Sequence, residues 1–338
     1  MSRPNRQMLL NDLREMVREQ AAGGSGSGGT LRSTMIDDEV ALAEEWTRIN
    51  APVTGDVRAE LVHEAAEFLG IPVEESWLRL GGATARFREE WEDRVANSND
   101  PEALIEFYNQ SDTELFELIE WHATDPIHYR TLAIRDLALN RTGRQYLDYG
   151  SGIGSDAMVF AECGFDITLA DISSPLLAFA EWRLVRRGFK VRAVDLKHEA
   201  LPANCFDMAV CFDVLEHIPD PIPVVRAIRD ALHAGGLLAL HAPFGKDAER
   251  PMHVVHQDIV TPRLQALGFQ LFYCSFPRCV WAPMVCEKQT RSAIKRARDL
   301  VYEKCVKNAF GSRLVDFCRR TWWRHLPAAS LADRERRN

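Results

Sequence analysis

Three glycines and a carboxylate follow a short apolar run near the middle of the chain. Residues 146–154 read Tyr-Leu-Asp-Tyr-Gly-Ser-Gly-Ile-Gly, which places Asp148 ahead of Gly150, Gly152 and Gly154. Glycine lets the backbone turn tightly and approach a ligand that a Cβ atom would exclude, and the helix expected next directs its free N–H groups toward the same point. The spacing is not the Gly-x-Gly-x-x-Gly of a dinucleotide site, and Asp148 would repel a pyrophosphate. The turn therefore predicts a ligand that carries a cationic or hydroxyl group.

Three later apolar runs also end in acidic residues. Asp171 closes the first of them and falls seventeen positions after Gly154, which is the length of a helix and a turn in a β-α-β unit. Asp195 and Asp213 close the next two runs. Asp171 is placed to accept hydrogen bonds from sugar hydroxyls, with a helix cap before Ser173 as the alternative. For Asp195 the alternative is an ordinary solvent-exposed strand end.

In order and spacing, these motifs resemble those of class I S-adenosylmethionine-dependent methyltransferases of the small-molecule type. The resemblance covers residues 144–288, and its post-strand motif corresponds to Phe-Asp-Val-Leu-Glu-His at residues 212–217. It implies S-adenosylmethionine as the cofactor, with the glycine turn at its methionine portion, Asp171 at its ribose and Asp195 at its adenine. The full set of implied cofactor contacts is Asp148, Gly150, Ser151, Gly152, Gly154, Asp171, Ile172, Asp195, Leu196, Phe212 and Asp213.

Histidines cluster where the ligand site is expected to open toward a second substrate. They are His217 after the fourth strand, His241 at the end of the fifth, and His253 and His256 in the loop beyond. Because histidine takes up a proton near neutral pH, His217, and after it His253, are the candidate general bases; bonds to backbone groups are the alternative. Some ubiquinone-pathway O-methyltransferases have a similar Glu-His segment associated with a divalent metal, so Glu216 and His217 have a metal-linked role as a further alternative. The cysteines lack the paired spacing of a zinc site, and the predicted site contains no metal.

The elements around these residues alternate between apolar runs and helical patterns. Such alternation predicts an α/β fold: a Rossmann-like, seven-stranded, mostly parallel sheet with right-handed crossovers and helices on both faces. The last three strands are predicted at residues 235–241, 269–273 and 280–286, the first of them after a helix that ends in glycine. Ligands of such sheets bind beyond the carboxyl ends of the strands, where the acids gather.

Four segments are predicted along the chain. Residues 1–34 hold a short amphipathic helix and a Gly/Ser tether, 35–143 form a helical lid or substrate region, 144–288 form the cofactor-binding core, and 289–338 form a basic helical tail. The N-terminal helix docks on this chain or on a partner, or acts as a tethered substrate-like peptide, or is foreign to a native chain that starts near residue 30 or 35. The sequence leaves these alternatives open.

Composition and charge indicate a cytoplasmic protein with a full hydrophobic core. Of the 338 residues 46% are hydrophobic, and no apolar run has the length of a membrane span or the form of a signal peptide. Residues 35–145 carry a balance of −14, from 24 acidic and 10 basic residues, whereas residues 288–338 carry +9, from 14 basic and 5 acidic residues. The tail is therefore expected to dock on the acidic region. Its arginines and tryptophans also suit RNA or an anionic membrane, but the net charge of −8 argues against nucleic acid.

The function that the resemblance implies is methyl transfer to an oxygen or nitrogen atom, less commonly a carbon atom, of a small-molecule acceptor such as a specialised metabolite. Helices before the first motif are expected to close over the cofactor, and the aromatic stretch at residues 107–122 suits that position. One alternative is a peptide methyltransferase that uses the N-terminal segment for recognition. Another is a non-catalytic protein that binds the cofactor and engages a partner through its N-terminal helix. The core motifs recognise the cofactor, so they do not identify the acceptor.

Overall fold

A computed structural model describes seven stretches of the chain: residues 35–96, 101–124, 130–243, 250–253, 264, 266–274 and 284–289. The predicted N-terminal helix, the Gly/Ser tether, His256 and the basic tail beyond residue 289 lie outside the described residues. Within the described residues, no helix combines the length and the apolar character needed to cross a membrane.

Seven helices precede the sheet. They are α1 (Met35–Asn50), α2 (Val57–Leu69), α3 (Val73–Leu80), α4 (Ala83–Arg94), α5 (Pro101–Gln110), α6 (Glu114–Thr124) and α7 (Arg130–Leu139). Local capping chemistry sets the limits of α2: the Oδ1 atom of Asp56 accepts a hydrogen bond from the N–H of Ala59 at 2.7 Å, and Gly70 ends the helix with a φ of 65°. The described parts of residues 35–143 therefore consist of helices joined by short turns, which agrees with the predicted helical character of this segment.

The seven strands form one mostly parallel sheet, as predicted. They are β1 (Gln145–Tyr149), β2 (Asp166–Asp171), β3 (Val191–Asp195), β4 (Phe206–Phe212), β5 (Leu232–His241), β6 (Phe269–Cys274) and β7 (Met284–Lys288), in the spatial order β3-β2-β1-β4-β5-β7-β6. Strand β7 runs antiparallel to both of its neighbours, and the other pairs are parallel. The strand order reverses between β1 and β4, so a crevice opens there at the carboxyl edge of the sheet.

Strand β5 begins earlier than the glycine pattern predicted. The helix before it ends at Ala231 and the strand starts at Leu232, so Gly235 lies within the strand instead of ending the helix. Gly235 has a φ of 81°, and the pairing of β4 with β5 is irregular between Phe206 and Met208. The glycine was mistaken for a helix C-cap because both a bulge and a cap require the left-handed backbone conformation.

Helices cover both faces of the sheet, as predicted. Helices α8 (Ser155–Ala161) and α9 (Ser174–Arg186) pack on one face, and α10 (Ile222–Ala231) packs on the other. Neighbouring residues of a strand point to opposite faces, so Tyr146 stacks on Phe160 of α8 with ring centroids 3.9 Å apart, while Leu147 belongs to the cluster on the α10 side. The sheet is therefore packed between two hydrophobic layers, one on each face.

The N-terminal helices share the hydrophobic core of the α8/α9 face. Leu61 of α2 and Phe116 of α6 are buried in the same cluster as Phe179 of α9. A buried ion pair adds to this contact, because the Nε atom of Arg183 lies 2.6 Å from the carboxylate of Glu64 and both side chains are at most 1% exposed. Although burial acts to raise it, the pKa of Glu64 is lowered by Arg183 and its neighbouring arginine. The helical segment is thus anchored to the sheet at one end, and its α4, α5 and α6 helices extend over the crevice.

Candidate active site

A cavity of about 650 Å³ opens at the carboxyl edge of β1, β2 and β4 beneath helices α4, α5 and α6. Most of the residues predicted as site residues line it: Gly150, Ser151, Gly152, Asp171, Ile172, Leu196, Phe212, Asp213, His217 and His253. The lining does not include Asp148, Gly154 or Asp195. The structure therefore brings the glycine turn and the predicted bases to one cavity.

The first two glycines of the turn are required by the backbone and by the space around it. Gly150 and Gly152 have φ angles of 71° and 49°, which side-chain-bearing residues rarely adopt. A Cβ atom at Gly150 would lie 2.2 Å from the Cγ2 atom of Val214. Gly154 differs, because a Cβ atom there would lie 3.0 Å from the Cβ atom of Ala180 on α9. Gly154 thus lets two helices approach, and its predicted ligand contact is not supported by its position.

Asp148 lies beneath the turn and does not line the cavity. Its side chain is 3% exposed, and its Oδ2 atom has no hydrogen-bond partner among the described residues. Burial, followed by the charges of Asp156 and Asp171, raises the pKa of Asp148 well above its usual range. The structure therefore buries Asp148 outside the cavity lining, and its predicted contact with a ligand stays a prediction.

Asp171 ties the glycine turn to the start of α9. Its two carboxylate oxygens accept hydrogen bonds from the N–H groups of Gly152 and Ser173, each at 2.9 Å. Burial raises the pKa of Asp171, and the two N–H groups oppose that rise. Because Asp171 also lines the cavity, the capping role and the ligand-facing role that the sequence left open are compatible.

Asp195 is occupied by contacts outside the cavity. Its carboxylate accepts a hydrogen bond from the Ser174 hydroxyl at 2.6 Å and lies 3.2 Å from the Lys197 ammonium. The side chain of Asn109 on α5 joins the same network, since it accepts from Lys197 and donates to the Ile172 carbonyl at 2.9 Å. The predicted contact between Asp195 and an adenine stays a prediction, and its neighbour Leu196 is the residue of this strand end that lines the cavity.

An ion-pair cluster closes the end of β4. Arg130 of α7 donates to Asp213 at 2.5 Å, and the His241 ring lies 2.5 Å from the other carboxylate oxygen. These contacts hold Asp213 at a φ of 56°, in the left-handed region. Although burial acts to raise it, the pKa of Asp213 is held well below its ordinary value by Arg130 and His241. Arg130 was missed from the sequence, yet it is buried and keeps Nε and Nη1 without a partner among the described residues.

Two of the predicted histidines face each other at the far end of the cavity. The rings of His217 and His253 are 4.9 Å apart and nearly perpendicular. The Tyr108 hydroxyl of α5 lies 3.1 Å from Nδ1 of His217, and Nδ1 of His253 lies 3.1 Å from the carbonyl of Pro243. Burial, and then His253, lowers the pKa of His217 to about 3. His217 is therefore neutral at physiological pH. His241, the third histidine named from the sequence, belongs to the Asp213 cluster instead.

Glu216 lies next to the histidine pair. It is fully buried, and neither of its carboxylate oxygens has a hydrogen-bond partner among the described residues. Burial, and then the charge of Asp213, raises its pKa well above the usual range. Glu216, His217 and His253 can each offer one ligand atom, and these atoms lie within 4.8 Å of one another. This geometry keeps open the metal-linked alternative for Glu216 and His217.

Helix α6 contributes a row of carboxylates that sequence analysis did not assign to the site. Glu114, Glu117 and Glu120 all line the cavity, together with Leu118 and Trp121. Residues three apart lie on the same side of a helix, so the spacing of these three acids was the available signal. It was missed because an acidic stripe is more often a solvated helix face.

Comparisons with known proteins match the central part of the chain. Residues 123–278 match the family model described as a methyltransferase domain. The ubiquinone biosynthesis O-methyltransferase of Bordetella avium is 36% identical over 118 residues, which cover 34% of this chain and 48% of that protein. The corresponding enzyme of Paraburkholderia phymatum is 31% identical over 118 residues, which cover 34% and 50%. The chain thus spans about half the length of the curated relatives it matches. A solved SAM-dependent methyltransferase from Leishmania major has 17% identity and a TM-score of 0.43, over 60% of this chain and 89% of that one.

Proposed function

We propose that this chain, whose residues 123–278 match the model of a methyltransferase domain, transfers a methyl group from S-adenosylmethionine to an oxygen or nitrogen atom of a small molecule. The observation that carries this proposal is the single cavity that joins the glycine turn and Asp171 to the Tyr108–His217–His253 group. Direct methyl transfer requires the donor and the acceptor to be bound next to each other, so that the acceptor atom reaches the methyl carbon. A cavity that contains both the cofactor-binding residues and groups able to take the acceptor's proton meets this requirement.

The residues at the β1 and β2 ends fit the cofactor. The backbone at Gly152 leaves room that a Cβ atom would fill, and Asp171 lines the same cavity with a carboxylate suited to ribose hydroxyls. Leu196 and Phe212 add apolar surface for a purine. Arg130 lies outside the cavity lining and supports the site through Asp213, with which it forms an ion pair.

At the other end of the cavity, protein groups are available to orient an acceptor and take its proton. When bound, the cofactor supplies an activated methyl group on a sulfonium. The Tyr108 hydroxyl orients the ring of His217. The low pKa of His217 keeps its imidazole neutral, which is the form that accepts a proton, but it also makes the imidazole a weak base. His253 has its Nδ1 atom against the Pro243 carbonyl, which favours a proton on Nδ1 and leaves Nε2 as its acceptor. These features support His217 and His253 as the proton-accepting groups.

A divalent cation is the second arrangement that the acceptor end supports. Glu216, His217 and His253 form a suitable set of one carboxylate and two imidazoles, and the buried, unpartnered Glu216 carboxylate favours a cation beside it. There a cation would polarise an acceptor oxygen, and His217 would then be a ligand and not a base. Methyl transfer that persists in EDTA but is lost in His217→Ala would support the base, whereas loss in EDTA would support the cation.

The proposal is tested by calorimetric titration of the full chain with S-adenosylmethionine and with S-adenosylhomocysteine. We expect both to bind in the micromolar range or tighter, and Asp171→Ala to weaken both by about tenfold or more, because it removes a charged acceptor and unties the glycine turn. Asp166→Ala is the matched control, since this acid lies at the opposite end of the same strand. If neither S-adenosylmethionine nor S-adenosylhomocysteine binds at high micromolar concentration, the proposed function is refuted.

We further propose a cytoplasmic location and a small-molecule acceptor. The acceptor is supported by the dimensions of the cavity and by the O-methyltransferase names of the curated relatives. A peptide or protein partner at the N-terminal helix, and the absence of a nucleic-acid partner, rest on the sequence alone and stay predictions.

A further inference from the structure

Glu117 differs from the other carboxylates that line the cavity. Each of those has a partner among the described residues. Asp156 accepts a hydrogen bond from Thr131, and Asp171 accepts one from the Gly152 N–H. Glu120 pairs with Arg58, Asp213 pairs with Arg130, and Glu114 accepts a hydrogen bond from the Ser173 hydroxyl. Within the stretches of chain that the structure describes, the carboxylate of Glu117 makes neither a hydrogen bond nor an ion pair, although its backbone N–H bonds to the Thr113 carbonyl. The half-buried carboxylate therefore keeps its full hydrogen-bonding capacity for a ligand in the cavity.

Glu117 lies on α6 between two residues that contact the proposed cofactor-binding elements. Glu114, three residues earlier, has its Oε2 atom 3.4 Å from the Ser173 hydroxyl, beside the predicted ribose contact. Leu118, the next residue, has its Cδ1 atom 3.4 Å from the point where a Cβ atom of Gly152 would lie. Helix α6 therefore crosses the cavity from the ribose side to the glycine turn. Glu117 is three residues, about 4.5 Å along the helix axis, beyond Glu114. In the proposed cofactor, the sulfonium lies between the ribose and the methionine portion.

The charges around Glu117 call for a cation. The charge of Glu117 acts on Tyr108 of α5 and Glu114 of α6, and neither of these groups carries a positive charge. The arginines that line the cavity, Arg88 and Arg250, do not contact it. Burial alone raises the pKa of Glu117 to about 7, and no cationic side chain opposes this rise.

We propose that Glu117 is a specificity-determining residue that provides the counter-charge for the sulfonium of S-adenosylmethionine, so that the site binds the charged methyl donor more tightly than the neutral thioether product. The inference rests on the proposed function, which supplies a ligand with a permanent positive charge at this level of the cavity. Methyl transfer removes that charge, because the electron pair of the broken sulfur–carbon bond stays on sulfur. The attraction to Glu117 is then lost, which favours exchange of product for fresh donor.

Glu117→Gln separates this role from general damage to the site. We expect the variant to bind S-adenosylmethionine about tenfold or more weakly at pH 8, where the wild-type carboxylate is ionised, and to bind S-adenosylhomocysteine with little change. Sinefungin, which carries an amine in place of the methylated sulfur, should lose affinity as S-adenosylmethionine does. The measurement is the ratio of the two dissociation constants by calorimetry, so it does not depend on knowing the acceptor.

Glu106→Gln is the matched control, because it changes the same residue type on the neighbouring helix α5 at an exposed carboxylate that does not line the cavity and already accepts a hydrogen bond from the Gln110 amide. Its ratio of the two dissociation constants should equal that of the wild type. An unchanged ratio in Glu117→Gln, or equal weakening of both ligands, would overturn the inference while leaving the proposed function intact. If the wild type binds neither ligand, the proposed function fails and the inference fails with it.

Discussion

At the scale of single residues, one cavity gives its carboxylates different electrostatic states. Arg130 and His241 lower the pKa of Asp213, whereas burial without a cation raises the pKa of Glu117 to about 7. Both are acids close to the same ligand space, and the difference comes from their neighbours. Groups perturbed in this way are often functional, and here geometry independently places them in the cavity.

The raised pKa of Glu117 predicts a pH-dependent gain of stability in Glu117→Gln. The pKa of this carboxyl group rises on folding from 4.5 to about 7, so protonation favours the folded state. Its contribution to the free energy of unfolding is complete below pH 4.5 and is lost as the pH rises through 7. The unliganded variant should therefore match the wild type at pH 4.5 and be about 1–3 kcal/mol more stable at pH 8. Urea unfolding at both pH values measures this, with Glu106→Gln as control. Equal differences at the two pH values would contradict the prediction.

At the scale of elements, helices α5 and α6 are held against the loop that follows β2. Asn109 bonds to the Ile172 carbonyl and to the Ser174 N–H, and the Ser173 hydroxyl donates to the Tyr108 carbonyl at 2.7 Å. The loop that directly follows the predicted ribose contact thus bonds to the helices above the cavity. A ligand that orders this loop should also order those helices.

Hydrogen exchange tests this coupling in residues 107–122. We expect slower exchange there when S-adenosylhomocysteine saturates the protein, because closure over the ligand suppresses local opening of α5 and α6. Strand β1, which is buried in the core, serves as the internal reference and should not change. Exchange in residues 107–122 that is identical with and without ligand would count against a lid.

At the scale of the whole molecule, the sheet brings together residues far apart in the chain. Tyr108 and His217 are 109 positions apart, and Arg130 and Asp213 are 83 apart, yet each pair is in hydrogen-bond contact. The parallel strands direct their carboxyl ends to one edge, and the helices before the sheet supply the opposite wall. The site is therefore shared between the motif-bearing core and the acidic helical segment.

Deletion of residues 1–29 tests whether that site is complete without the N-terminal segment. Because all of the described residues that line the cavity fall between 84 and 253, we expect the shortened chain to bind S-adenosylhomocysteine with unchanged affinity. Calorimetry on the full and shortened chains compares the two dissociation constants. Loss of binding that is restored by adding the peptide of residues 1–22 would instead identify the segment as part of the site.

The sequence by itself determined the parts of this protein that depend on short-range chemistry. Glycines at fixed spacing predicted the turn at Gly150, alternating patterns predicted the sheet, and Asp171 was found because one crossover sets its distance from the turn. The periodicity of apolar residues within a segment indicates which of its faces is buried, and it can be read from the sequence without the tertiary structure.

The tertiary structure alone decided which neighbouring side chains meet. It buried Asp148 outside the cavity lining, added Glu117 to that lining, and paired Arg130 with Asp213. The last two outcomes depend on how helices from residues 35–143 lie against strands from residues 145–212, and no local pattern encodes a contact between them. The charge state of a carboxylate is decided the same way, because burial and the nearest cation both come from distant parts of the chain.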